Sequence, residues 1–63
     1  MTVSRDELFV LWSAARAEAN MAYDAWCDEP GRRAYAIYRA AEDRADAAEI
    51  ALWASADRVL VAA

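Results

Sequence analysis

The sequence predicts an all-α protein: a two-helix antiparallel hairpin with helices over about residues 5–27 and 30–61, joined along an Ala-rich coiled-coil seam and dimerising into a four-helix bundle. Three observations carry this. The only Pro and the only Gly, Pro30 and Gly31, are adjacent and sit near the middle of the chain. Ala, the best helix former, accounts for 18 of the 63 residues. On both sides of the break, apolar residues recur in alternating steps of three and four, the spacing of one helix face. A chain of 63 residues is one domain, so residues 1–63 are read as a single helical hairpin.

The first helix has a start signal. Ser4 is a candidate N-cap and Glu7, three residues on, completes a capping box. Val3 and Leu8 occupy the staple positions around it. Asp6 and Glu7 suit the positive end of the helix dipole. Nothing then interrupts the helix until Asp28. Pro30 suits the first turn of the second helix, where its missing N–H costs nothing. After Gly31 there is no Gly, Pro, Asn or Thr. So short a turn leaves the helices antiparallel neighbours.

The first helix carries Leu8, Trp12, Ala15, Ala19, Ala22 and Trp26 at seam spacing. The second carries Ala34, Tyr38, Ala41, Ala45, Ala48, Leu52, Ser55, Val59 and Ala62. Folding the chain about residue 30 sets Trp26 opposite Ala34, Ala22 opposite Tyr38, Ala19 opposite Ala41, Ala15 opposite Ala45, Trp12 opposite Ala48 and Leu8 opposite Leu52. Large side chains thus mostly meet small ones, as interdigitating layers require. The layout resembles that of the Rop family of plasmid RNA-binding proteins in length and hairpin plan, which implies a dimeric bundle. Rop-type RNA binding uses a polar, basic helix face. The first helix here is acidic, so that function is not carried over.

A second apolar stripe runs off the seam: Val10, Ala14, Ala17 and Met21 on the first helix, with Ile50, Trp53, Leu60 and Val61 on the second. The stretch "ADRVLVAA", residues 56–63, also overruns the first helix. A helix with two apolar faces lies between two neighbours, and one hairpin supplies only one. These eight residues are therefore the expected interface with a second copy or another protein, with Trp53 as an anchor.

Composition points the same way. Hydrophobic residues make up 60% of the chain, and about 57% when Gly is counted instead of Tyr, against a usual 45–50%. A chain this small has little interior to hide them. With one Cys and no His, neither an internal disulfide nor a zinc site is expected, and no cofactor. Oligomerisation is the remaining route to stability. The net charge of −4 argues against general nucleic-acid binding. No apolar run is long enough to span a membrane. The N-terminus lacks the basic and apolar regions of a signal peptide, so the expectation is a cytoplasmic protein with Cys27 reduced. The Ala and Arg bias without Lys points to a GC-rich bacterial or phage genome.

Four groups of residues invite a chemical reading. Glu42, Asp43, Asp46 and Glu49 fall within three turns of the second helix; Glu42, Asp46 and Glu49 share a face and, with Glu18, suggest a carboxylate metal site. Bundle di-metal sites use Glu-x-x-His pairs, however, and the chain has no His. The preferred reading is a solvated face partly neutralised by Arg39 and Arg44, with no metal. Arg32, Arg33 and Arg39 lie near the start of the second helix and could contact an anion, since cations there oppose the dipole. The plainer expectation pairs them with Asp24, Asp28 and Glu29. Trp12, Trp26 and Trp53 could line an aromatic ligand pocket, but the seam accounts for Trp12 and Trp26. Cys27 has no His partner for nucleophilic work and reads as a small apolar residue at the hairpin end. The expected function is a non-enzymatic, homo-oligomeric helical module that binds an unidentified protein. The alternative is a nucleic-acid or anionic-ligand binder using the Arg cluster.

Overall fold

A computed structural model describes residues 3–62, with side chains described up to Ser55. It contains two α-helices, α1 (Arg5–Asp28) and α2 (Arg32–Ala62), packed against each other as a hairpin. There is no strand among the described residues.

Ser4 caps α1 from an extended conformation, φ −72° and ψ 159°. Its Oγ accepts the Glu7 N–H at 3.1 Å, and its carbonyl accepts the Leu8 N–H at 3.0 Å. Only this half of the expected capping box forms among the described residues: the Glu7 carboxylate does not reach back to the Ser4 N–H.

The turn works differently from the sequence expectation. Glu29 leaves the helical region, at φ −139° and ψ 82°, while its N–H still donates to the Ala25 carbonyl at 3.0 Å. The ring of Pro30 disfavours helical backbone at the preceding residue, so α1 stops at Asp28. Gly31 then caps α2, its carbonyl accepting the Tyr35 N–H at 2.9 Å. Pro30 was expected inside the first turn of the second helix. It lies outside α2, which begins at Arg32, and its role is to end α1. Gly31 does not take the left-handed conformation, and a side chain there would meet open space.

The seam lies where the periodicity puts it. Ala19 and Ala45 are 0% exposed and Ala41 2%, and Ala15 and Ala22 pack against them. Each seam residue with a described side chain, from Leu8 to Trp26 and from Ala34 to Ser55, is buried or half-buried. Methyl side chains at the contact let the helix axes approach toward the short end of the usual 8–10 Å range. The seam positions Val59 and Ala62, the overhang at 56–63, and Leu60 and Val61 lie outside the described side chains.

Candidate interaction surface

Seven residues are close to two helical turns, so positions seven apart lie on one stripe. Arg16 and Glu18 are about 200° apart around α1 and therefore define its two opposite flanks. On one flank Arg16 donates to both carboxylate oxygens of Glu42, at 3.5 and 3.3 Å, and lies 3.9 Å from Asp46. On the other, Arg44 lies 3.8 Å from Glu18. Arg39 sits 3.8 Å from Asp43, one turn further along α2.

Arg39 and Arg44 do pair with acids of the group, Asp43 and Glu18, and α1 supplies a further cation. The cation that neutralises Glu42 and Asp46 is Arg16 from α1. Glu18 cannot complete a cluster with Glu42 and Asp46, because it projects from the opposite flank. Arg16 carries the sequence signal that was missed. It is seven residues from Phe9 and Tyr23, on the stripe that faces Glu42 across the seam.

The Arg cluster is divided in the same way. Arg39 is engaged along its own helix. Arg32 and Arg33 line a shallow depression with Ala25, Glu29 and Ile37. The expected pairing with Asp24, Asp28 and Glu29 does not form: among the described residues no ion pair reaches Arg32 or Arg33. The structure therefore does not gather the three arginines around one point.

Near the turn, four aromatic rings close the hairpin. Trp26 stacks on Tyr38 with ring centroids 5.7 Å apart and an interplanar angle of 3°. Tyr35 approaches Trp26 at 5.3 Å, and Tyr23 approaches Tyr38 at 5.4 Å, both tilted. Trp26 was expected to meet Ala34. Its ring extends beyond that methyl to the larger face of Tyr38. Tyr23 and Trp26 are three residues apart, as are Tyr35 and Tyr38, and the two pairs mirror each other about the turn. The rings pack on one another and do not line a ligand pocket. At the open end Trp12 packs on Phe9 at 5.7 Å.

Cys27 is exposed, where a packed apolar residue was expected. It lies one turn beyond Tyr23, and its thiol raises the Tyr23 phenol above its ordinary value of 10.0. Negative charge on the sulfur opposes the phenolate further, followed by slight burial and by the nearby Tyr38 and Asp24.

Val10, Ala14, Ala17, Met21, Ile50 and Trp53, the described members of the expected interface, are all exposed. Met21 is 66% exposed, Trp53 65% and Ile50 70%. They do not share one face. Val10, Ala14, Ala17 and Met21 fall within about 60° of one another on the outer side of α1, and Ile50 lies on the back of α2. Within that stripe Ala14 and Met21 are the members nearer the Glu18 flank. Trp53 turns toward the Arg16 flank, where it lines a depression with Phe9 and Leu52. No helix of the described residues is long and apolar enough to cross a membrane. In comparison with known proteins, no family model, curated protein or solved structure matches the chain.

Proposed function

We propose that the protein is a non-enzymatic, homo-oligomeric helical module that works by binding other protein chains, with a dimeric four-helix bundle as its basic form. The observation that carries this is the imbalance between core and surface. The only fully buried residues among those described are three alanines, Ala19, Ala41 and Ala45, whereas Phe9, Val10, Leu11, Met21, Ile37, Ile50 and Trp53 are each more than half exposed. Three buried methyl groups remove little apolar area from water, and two helices alone make a marginal fold at this length. Extensive exposed apolar surface marks protein contact sites. A second hairpin would cover part of it and supply the missing core.

Sedimentation at micromolar concentration tests the reading. The expected species is at least twice the chain mass of 7.0 kDa. A compact, cooperatively folding species of single-chain mass would overturn it. Salt-dependent complexes with nucleic acid would instead assign the chain to anion recognition through Arg32 and Arg33.

A further inference from the structure

We infer that a second copy packs on the flank that carries Glu18 and Arg44, about a two-fold axis parallel to the helices, so that Glu18 of each chain faces the partner's Arg44. This rests on the reading of the chain as a homo-oligomer and says which surface makes the contact and in what arrangement.

The two flanks differ in charge. Glu18 and Arg44 lie 3.8 Å apart and balance each other. In seven-residue steps from Glu18 the stripe carries Leu11 and Ala25, and from Arg44 it carries Ile37 and Ala51. This flank is therefore apolar with one neutral ion pair at its centre, and Leu11 and Ile37 on it are exposed. On the opposite flank the same seven-residue steps carry Phe9, Arg16 and Tyr23 on α1 and Tyr35, Glu42 and Glu49 on α2, one cation against two carboxylates, while Asp46 lies further out on the stripe of Arg39. A copy laid on that flank at matching heights would set Arg16 against the partner's Glu42 but Glu49 against the partner's Phe9, taking a carboxylate out of water with no cation opposite.

Size permits the contact. The hairpin is 19 Å across, and α1, with 24 residues at about 1.5 Å each, sets a two-helix length of roughly 36 Å, so one broad face covers roughly 700 Å², near the ~800 Å² per partner of a standard specific interface.

Charge also selects the symmetry. An axis parallel to the helices keeps every residue at its own height along the hairpin. Glu18 then lies opposite the partner's Arg44, Leu11 opposite the partner's Ala51, and Ile37 opposite the partner's Ala25. Unlike charges meet, and each large residue meets a small one. An in-plane axis across the helices at the height of the ion pair would instead set Glu18 against the partner's Glu18 and Arg44 against the partner's Arg44. Trp53, on the other flank, stays outside the contact.

The test is a charge-exchange series read by sedimentation, with helix content followed by circular dichroism. Glu18→Arg and Arg44→Glu should each weaken self-association at least tenfold, and an equimolar mixture of the two should recover it. The double variant Glu18→Arg/Arg44→Glu should self-associate like the wild type without exchanging chains with it. Trp53→Asp should leave the dissociation constant within about twofold. If the wild type is a folded monomer, the homo-oligomer reading fails and this inference with it. A wild-type dimer that both single variants leave unchanged, or that Trp53→Asp dissociates, overturns the flank alone. A dimer broken by the single variants whose double variant pairs with wild-type chains overturns the axis. Because single variants that lose helix could simply have failed to fold, recovery in the mixture is the deciding readout, and its absence counts against the inference.

Discussion

Trp26 and Tyr38 lie face to face across the turn, their planes 3° from parallel and their centroids 5.7 Å apart. Trp26 is the last seam residue of α1 and Tyr38 the second of α2, so the stack ties the ends of the helices where the chain reverses. Aromatic pairs of this kind contribute about 0.5–1.5 kcal/mol beyond the area they bury. A double-mutant cycle with Trp26→Leu and Tyr38→Leu, read by denaturant unfolding, should return a coupling energy in that range. A coupling of zero would mean that the two rings contribute independently.

Ala19 and Ala45 are fully buried, so neither site has room for a larger side chain. Ala19→Leu or Ala45→Leu should cost about 1–3 kcal/mol through overpacking. Ala36→Leu, on the back of α2, should stay within about 0.5 kcal/mol of wild type. Equal melting temperatures for Ala19→Leu and Ala36→Leu would contradict the seam.

The ion pairs should rank by geometry and burial. Arg16 meets Glu42 with two hydrogen bonds in a half-buried setting, whereas Arg39 and Asp43 are exposed and 3.8 Å apart. Arg16→Gln should cost about 1 kcal/mol and lose part of that cost in high salt. Arg39→Gln should cost about 0.3–0.5 kcal/mol, as expected of a helical i,i+4 pair. The reverse order would place the main neutralising contact of Glu42 elsewhere.

Gly31 caps α2 with its carbonyl alone, and a side chain there would meet open space. Gly31→Ser adds an oxygen that can accept an N–H of the first turn and also narrows the unfolded ensemble. The expected gain is about 0.5–1 kcal/mol, seen as a melting temperature several degrees higher. A loss would show that the serine oxygen does not reach the N–H groups of the first turn.

Tyr23 predicts a pH dependence. Its phenol is raised above 10.0, first by its interaction with Cys27. The folded chain holds that proton more tightly than the unfolded chain. The stabilisation is complete below the ordinary tyrosine value and falls as pH rises above 10 toward the raised value. Phenolate absorbance should therefore finish its rise at higher pH in the wild type than in Cys27→Ala. Superimposed titration curves would remove Cys27 as the cause.

The sequence alone determined the local and periodic features. Ser4 begins α1, Pro30 and Gly31 end one helix and start the next, and the steps of three and four place Ala19, Ala41 and Ala45 at the core. These follow from propensity and helix geometry, which act over a few residues and do not depend on what lies across the seam. Tertiary structure decided the partners. Arg16 reaches Glu42 because side chains 26 residues apart in sequence meet on one flank, and periodicity on either helix does not name the opposing residue. Trp26 stacks on Tyr38 because a large ring spans more than one layer of the seam. The outer apolar residues read as one interface in the sequence, yet Met21 and Trp53 turn to different flanks, because each helix distributes its surface through 100° per residue and only packing shows which side faces where.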